Sequence, residues 1–247
     1  MAVKTVQYKQ HTFSISYEIL NPSAHYDIIF LHGWGSHKNL MKHAFGQYLH
    51  QFRHIYIDMP GFGNSTCNMT LTTEDYANIL ESFISQIDAS KAIILGHSFG
   101  GKVATLLNPE LLVLVGSAGI LVPKPFKIRA KIFLFKLLKF TGLTSLRRFF
   151  IAPDAQGLSE PMYETFKQVV NEDFTEKFRS FKGKALLCFG AQDTATPLWT
   201  AHTIAELIHD SRVVEFEGDH YFFLEQGSTV AKEIENTVLK NLEHKGQ

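Results

Sequence analysis

The most restrictive feature of this sequence is a serine in a glycine-rich turn directly after an apolar, β-branched run. Residues 92–95 read AIIL and lead into GHSFGG at 96–101. This pattern predicts a strand that turns sharply into a helix and holds Ser98 in strained geometry, while side chains at Gly96 and Gly100 would collide with neighbouring strands. The Ser98 hydroxyl would lie at a helix N-terminus, where backbone N–H groups without acceptors stabilise negative charge. The pentapeptide alone also fits a glycine-rich turn with a solvated serine.

A reactive serine needs a histidine as base and a carboxylate that orients the histidine, and both follow later in the chain. Residues 184–190 read as a buried strand, and Asp193 lies in the turn after its C-terminal end. A further strand near 211–216 leads into a loop that carries His220 just before the last helix. Because serine, aspartate and histidine occur in this order when the serine follows a strand, we predict Asp193 as the orienting acid and His220 as the base.

Other histidines and aspartates compete for these roles. His97 precedes the serine, so its side chain is expected to point elsewhere, and His32 is expected to brace a loop by hydrogen bonds. Asp219 adjoins the candidate base, but adjacent side chains on a loop usually diverge, so Asp193 is preferred. Asp58 ends a strand at a tight Pro-Gly turn, where a carboxylate usually caps local backbone N–H groups.

The alternation of apolar runs and helical segments predicts an α/β protein with a mostly parallel eight-stranded sheet flanked by helices. The predicted strands lie near 3–9, 11–20, 26–32, 53–58, 91–96, 111–116, 184–190 and 211–216. The predicted helices lie near 37–50, 73–88, 98–107, 197–209 and 228–244. Thr72 or Thr73 is the expected N-cap of the second helix, and Pro197 lies near the start of the fourth.

Five motifs occur together in one order along the chain. They are HGWG at 32–35, DMPGFG at 58–63, the serine turn, GAQD at 190–193 and GDH at 218–220. Through these motifs the chain resembles the α/β-hydrolase family over nearly its whole length, and within it the small capped serine hydrolases that include carboxylesterases and meta-cleavage product hydrolases. The resemblance implies the α/β-hydrolase fold, with a single domain over 1–247 and a helical cap inserted at about 120–183.

The resemblance also implies a role for each matching residue. Ser98 corresponds to the nucleophile, His220 to the base and Asp193 to the orienting acid. The backbone N–H groups of Phe99 and Trp34 would form the oxyanion hole. The implied reaction is cleavage of an ester, a thioester or an activated carbon–carbon bond of a small apolar acyl substrate, without a cofactor or a metal.

The predicted cap is rich in aromatic and basic side chains. Its aromatic residues suit an apolar or aromatic acyl group, although most of them would pack the cap against the core. They are Phe126, Phe133, Phe135, Phe140, Phe149, Phe150, Tyr163 and Phe166. A basic cluster without any acid comprises Lys124, Lys127, Arg129, Lys131, Lys136, Lys139, Arg147 and Arg148. This basic cluster would attract an anionic substrate, dock an acidic carrier protein, contact an anionic membrane surface, or form a solvated face.

Two alternatives to simple hydrolysis stay open at this point. One is an acyl-carrier-protein methyl ester esterase, whose basic cap would dock the acidic carrier protein. The other is a non-catalytic ligand receptor on the same scaffold. The loop after the base reads HYFFLE at 220–225 and lacks the tryptophan that commonly follows the base in carbon–carbon hydrolases, which favours ester or thioester cleavage.

Composition limits the remaining choices. A length of 247 residues, 45% of them hydrophobic, and a formal net charge of zero suit one globular domain. Cys67 and Cys188 do not suggest a disulfide framework, which favours reduced thiols and a cytoplasmic location. The N-terminus lacks a signal-peptide pattern, and no apolar run approaches the roughly 20 residues that span a bilayer. The sequence shows no nucleotide loop, metal-ligand cluster or nucleic-acid motif, so a small-molecule substrate is expected.

Overall fold

The structure is a computed structural model that describes residues 1–123 and 157–245, with the side chains of the last helix described up to residue 239. Its strands are β1 (Ala2–Tyr8), β2 (His11–Leu20), β3 (Tyr26–Leu31), β4 (Phe52–Ile57), β5 (Ile93–His97), β6 (Leu111–Val115), β7 (Lys184–Gly190) and β8 (Ser211–Phe216). Its α-helices are α1 (Lys38–Phe45), α2 (Thr73–Gln86), α3 (Phe99–Leu107), α4 (Glu160–Val169), α5 (Thr175–Ser180), α6 (Leu198–Leu207) and α7 (Gly227–Lys245).

The eight strands form one sheet in the order β1-β2-β4-β3-β5-β6-β7-β8. β2 pairs antiparallel with β1 and with β4, whereas the other neighbouring pairs are parallel. The mostly parallel eight-stranded sheet predicted from the sequence is therefore confirmed. The carboxyl ends of the parallel strands meet at one edge of the sheet, which is where open α/β sheets bind ligands.

Helices cover both faces of the sheet, and this explains why its central strands read as continuous apolar runs. In β3, the side chains of Ile28 and Phe30 pack in the core layer that includes α1 and α7. Ile29 and Leu31 alternate with them and pack in the layer that includes α2 and α3. A strand buried on both sides needs an apolar residue at every position, so the run from 28 to 31 contains no polar side chain.

The helix boundaries follow local capping and backbone conformation. Thr72 caps α2 as predicted, because its hydroxyl accepts from the Asp75 N–H at 3.1 Å and the Asp75 carboxylate accepts from the Thr72 N–H at 2.8 Å. The first helix is shorter than predicted: α1 ends at Phe45 instead of near residue 50. Leu49 has φ 57°, a left-handed conformation that a right-handed helix cannot contain.

The second half of the predicted cap lies between β6 and β7. There, α4 and α5 pack against the core layer of α2 and α3 through Met162 and Phe178. Residues 124–156, which contain the whole basic cluster and six of the eight cap aromatic residues, lie outside the described residues. The division into a single domain with a helical cap therefore stays a prediction.

A buried ion pair joins α1 to the sheet. The Lys38 ammonium donates to the Asp58 carboxylate at 2.5 Å and to the Ser16 hydroxyl at 2.9 Å. Asp58 also accepts from the backbone N–H groups of Lys38 at 2.7 Å and Asn64 at 3.1 Å. Burial acts to raise the pKa of Asp58, but these hydrogen bonds outweigh it and hold the pKa below its ordinary value. The backbone-capping role predicted for Asp58 is confirmed.

We expect Lys38→Met to lower the free energy of unfolding by about 3–5 kcal/mol, because it leaves the buried Asp58 carboxylate without its charged partner. Lys91→Met is the control, since Lys91 pairs with Glu81 at the surface, where such a pair contributes about 0–1 kcal/mol. Urea unfolding followed by circular dichroism measures both variants. A loss at Lys38 no greater than that at Lys91 would contradict the stabilising role of the buried pair.

Candidate active site

Ser98 lies between β5 and α3 with φ 51° and ψ −114°, a strained conformation for a residue with a side chain. A β-carbon on Gly100 would lie 2.5 Å from the carbonyl oxygen of Leu31 and 2.6 Å from that of His32, so α3 begins in direct contact with the end of β3. A β-carbon on Gly96 would meet the backbone of α3 instead. The collision with a neighbouring strand is thus confirmed for Gly100, whereas Gly96 is restricted by the helix that it precedes.

The structure brings Asp193 and His220 into direct contact. Asp193, in the turn after β7, is 4% exposed, and its Oδ2 lies 2.7 Å from Nδ1 of His220. The other oxygen accepts from the backbone N–H groups of Ala195 at 2.8 Å and Thr196 at 2.9 Å. Burial acts to raise the pKa of Asp193, but the hydrogen bonds from His220 and Thr196 lower it below the ordinary value. The carboxylate therefore stays ionised, and Nδ1 of His220 carries the shared proton.

Sequence analysis did not identify Thr196 as a site residue. Its hydroxyl lies 2.7 Å from Oδ2 of Asp193, 3.1 Å from the carbonyl oxygen of Gly116 and 3.3 Å from Nδ1 of His220. The hydroxyl therefore lies beside the oxygen that pairs with the histidine. A threonine three residues after a candidate acid is a weak signal, since only the fold of the turn brings its hydroxyl back to the carboxylate.

Asp219 does not take part in this contact. It is exposed, and its carboxylate accepts from the backbone N–H of Tyr221 at 2.8 Å. This is a local turn interaction of the kind that aspartate often makes in loops. Of the two aspartates weighed from the sequence, Asp193 is the one that contacts His220.

Gly116, directly after β6, lies beside the pair of Asp193 and His220. A β-carbon at this position would be 3.3 Å from Oδ2 of Asp193 and 3.3 Å from Nδ1 of His220. On the adjacent strand, the N–H of Ser98 donates to the carbonyl oxygen of Val115 at 3.2 Å. The pair of Asp193 and His220 therefore lies against the end of β6, and Ser98 follows the neighbouring strand β5.

The loop after β3 also reaches the serine. A β-carbon on Gly33 would be 3.3 Å from the β-carbon of Ser98. His32 holds this loop, because its Nδ1 lies 2.8 Å from the Gly33 carbonyl oxygen and its Nε2 accepts from the Met59 N–H at 3.0 Å. Burial lowers the pKa of His32 to about 4, so the ring is neutral near pH 7. The bracing role expected for His32 is confirmed.

Aromatic side chains pack together beside the loop that follows β3. The ring of Trp34 lies 4.9 Å from that of Phe62, 5.5 Å from that of Phe99 and 5.4 Å from that of Phe166, measured between centroids. Phe166 belongs to α4 and is one of the two predicted cap aromatic residues that the structure describes. Trp34 and Phe166 are partly exposed, so this cluster offers apolar surface next to Ser98.

A buried lysine anchors α4 to the helix that follows the serine. Lys102 of α3 is 2% exposed and donates to the Val169 carbonyl oxygen at 2.7 Å, with the Glu172 carboxylate at 3.1 Å. Burial lowers the pKa of Lys102, and Glu172 offsets part of that effect. A second anchor joins the Leu71 N–H to the Thr165 hydroxyl at 2.9 Å. Sequence analysis missed Lys102, although a single lysine in an otherwise apolar helix was the available signal.

A profile of the α/β hydrolase family matches residues 28–233. The chain therefore belongs to the α/β hydrolase family, which confirms the resemblance carried by its motifs. Among solved structures, an esterase from Exiguobacterium antarcticum has a TM-score of 0.74 at 22% sequence identity, covering 95% of this chain and 98% of that chain. This likeness shows the α/β-hydrolase fold.

Curated relatives match shorter stretches. A 1-acylglycerol-3-phosphate O-acyltransferase of Arabidopsis thaliana is 38% identical over 104 residues, which cover 37% of this chain and 25% of that protein. A pimeloyl-[acyl-carrier protein] methyl ester esterase of Proteus mirabilis (strain HI4320) is 32% identical over 97 residues, which cover 37% of this chain and 36% of that protein. The chain thus spans a quarter to about a third of the length of these relatives.

We expect Asp193→Asn to lower kcat on a small activated ester by about 10⁴-fold, because an amide in place of the carboxylate favours the wrong tautomer of His220. Asp219→Asn is the matched control and should change kcat by less than about tenfold, since its carboxylate accepts from the local backbone N–H of Tyr221. Steady-state kinetics of both purified variants measures the ratio. A greater loss in Asp219→Asn than in Asp193→Asn would reverse the assignment of the orienting acid.

Proposed function

We propose that this protein is a serine hydrolase that cleaves an ester, a thioester or an activated carbon–carbon bond of a small apolar acyl substrate. In this proposal Ser98 is the nucleophile, His220 is the general base, and Asp193 orients the base. The backbone N–H groups of Phe99 and Trp34 form the oxyanion hole. The observation that carries the proposal is the 2.7 Å contact between Asp193 and His220 at the sheet edge where Ser98 occupies its strained turn.

Acylation begins when the Ser98 hydroxyl attacks the substrate carbonyl carbon. His220 accepts the hydroxyl proton at Nε2, because its Nδ1 already donates to Asp193. The imidazolium that results is stabilised by the ionised carboxylate of Asp193. The tetrahedral intermediate then collapses, the leaving group takes the proton from His220, and an acyl group remains on Ser98.

The negative charge on the substrate oxygen needs donors that are in place before the reaction. Phe99 is the first residue of α3, so its N–H belongs to the turn that has no acceptors within its own helix. The dipole of α3 adds positive potential at the same point. The second donor is proposed on Trp34, because Gly33 immediately before it approaches Ser98 closely.

Deacylation repeats the same steps with water. His220 takes a proton from a water molecule, whose oxygen attacks the acyl carbon on Ser98. Collapse of the second tetrahedral intermediate returns the proton to the serine oxygen and releases the carboxylic acid. The cycle needs no cofactor, since each proton that His220 accepts is delivered to a leaving group within the same half-reaction.

Two features support a small apolar acyl group. The partly exposed rings of Trp34 and Phe166 offer apolar surface close to the loop that approaches Ser98, and such walls commonly define acyl pockets. The residue after the base is Tyr221, where carbon–carbon hydrolases commonly carry tryptophan, so ester or thioester cleavage is favoured within the proposal.

The second candidate is hydrolysis of an acyl ester carried on acyl carrier protein. Two observations favour it: the Proteus relative is named as an esterase of this kind, and the basic cluster between 124 and 148 would suit an acidic carrier. A non-catalytic receptor is the third alternative, and it would bind ligand without turnover.

Among the described residues, none of the helices is long and apolar enough to cross a membrane. The cytoplasmic location stays a prediction.

We expect Ser98→Ala to fold normally and to lose about 10⁴-fold or more in kcat, because the variant lacks the attacking oxygen. His220→Ala should lose a similar factor, and the double variant should be scarcely worse, since the two residues act as a unit. The kcat/KM of the wild type on a panel of short esters, thioesters and vinylogous diketones shows which of the three bond types it cleaves best. Undiminished turnover in Ser98→Ala would contradict the proposed nucleophile, and wild-type binding without turnover of any substrate would favour the receptor.

The carrier-protein alternative makes its own prediction. Charge reversal of Lys131, Lys136, Arg147 and Arg148 to Glu should abolish activity on a carrier-bound acyl ester and spare a small neutral ester. Rising salt should weaken only the carrier reaction, because exposed charges are screened over about 8 Å at physiological ionic strength. Equal activity of the wild type and the variant on both substrates would contradict carrier docking, whereas loss on both would indicate damage to the cap.

A further inference from the structure

His97 connects the nucleophile to the loop that carries the candidate base. It is the last residue of β5, directly before Ser98, and its side chain is 1% exposed. Nε2 of His97 lies 3.1 Å from the backbone carbonyl oxygen of His220. Because a carbonyl oxygen only accepts hydrogen bonds, Nε2 must carry the proton and donate it. The neutral ring then has its lone pair on Nδ1.

The other side of the His97 ring lies against the loop after β3. A β-carbon on Gly33 would be 2.9 Å from Nδ1 of His97, so only glycine leaves room for the ring. Nδ1 is buried and has no hydrogen-bond partner among the described residues. The neutral imidazole of His97 thus lies between the loop that approaches Ser98 and the loop that carries His220, and it contacts both.

The charge state of His97 suits this position. Burial, together with repulsion from the neighbouring His220, lowers the pKa of His97 to about 3. The two rings are 4.6 Å apart between centroids, so a protonated His97 would oppose the imidazolium that forms on His220 during acylation. A neutral histidine can hold its neighbour without this penalty.

We propose that His97 is a positioning residue that fixes the backbone of His220 relative to Ser98 and to the Gly33 loop. Asp193 holds the imidazole of His220 at Nδ1, and His97 holds the main chain of the same residue. Together the two contacts fix the ring and the main chain of His220, and these define where its Nε2 lies. This inference rests on the proposed role of His220 as the base.

The test compares two substitutions of the same residue. His97→Gln keeps an N–H donor near the position of Nε2, and we expect its kcat to stay within about threefold of the wild type. His97→Leu removes the donor, and we expect kcat to fall about tenfold while KM changes less than about twofold. The kcat of His97→Gln therefore shows whether a hydrogen-bond donor at this position is sufficient, and the kcat of His97→Leu shows the effect of removing the donor.

His54→Leu is the matched control. His54 is also buried, its Nε2 lies 2.9 Å from the carbonyl oxygen of Leu49, and it belongs to β4, away from the proposed site. The control should lose thermal stability and keep kcat. Circular dichroism and thermal melting of all three variants separate loss of the fold from loss of positioning.

A second readout does not depend on turnover. The Nδ1 proton that His220 shares with Asp193 should give a low-field proton resonance, which we expect in the wild type, His97→Gln and His54→Leu. In His97→Leu the resonance should broaden or move upfield, because the main chain of His220 is no longer fixed and its ring moves relative to Asp193. An unchanged resonance and kcat in His97→Leu, or equal losses in Gln and Leu, would overturn the proposal. If Ser98 were not the nucleophile, the resonance would still respond to His97→Leu in this way, so the two proposals fail separately.

Discussion

The strained backbone at Ser98 is the constraint on which the rest of the site depends. A positive φ at a residue with a side chain costs about 1–3 kcal/mol and persists only where the surroundings enforce it. Here the Ser98 N–H donates to Val115, and the Ser98 carbonyl oxygen accepts from Gly101 and Ala118. These hydrogen bonds fix the turn to β6 on one side and to α3 on the other. The backbone contacts with β6 and α3 therefore position the serine side chain.

The same short helix organises the surroundings of the serine. The start of α3 contacts β3 at Gly100, which sets the distance between the nucleophile and the loop that holds Trp34. Two residues further along, Lys102 reaches across to the end of α4 and holds the helix that presents Phe166. A displacement of α3 would thus move the proposed nucleophile, a proposed oxyanion donor and the apolar wall together. This coupling makes α3 the structural link between the reactive atoms and the surface that contacts the acyl group.

The sequence predicts the parts of the molecule that depend on local pattern. Alternation and apolar runs identify the strands, and the chain order of Ser98, Asp193 and His220 identifies the contact between acid and histidine. Thr72 is recognisable as a helix cap because both partners of the capping box lie within three residues. The role of His32 as a brace follows from its place beside a glycine loop.

Features that depend on residues distant in the sequence cannot be predicted from local sequence pattern. The burial of Lys38 and Lys102 depends on Asp58 and Glu172, which lie far along the chain, so local pattern does not identify the partner of either lysine. The predicted end of α1 near residue 50 is wrong partly because Leu49 takes a left-handed conformation that leucine rarely adopts, which no local pattern indicates. The restriction at Gly96 comes from α3, because the helix folds back over the strand that leads into it.

Covalent labelling of the serine tests the central claim most directly. A fluorophosphonate reacts with a serine only when a base activates its hydroxyl, and trypsin cleavage after Lys91 and Lys102 isolates Ser98 in the peptide 92–102. Mass spectrometry of the digest should show one adduct, on this peptide, and Ser98→Ala should remove it. A labelled residue elsewhere, or an unlabelled peptide 92–102 in a protein that still turns over an ester, would contradict the proposed nucleophile.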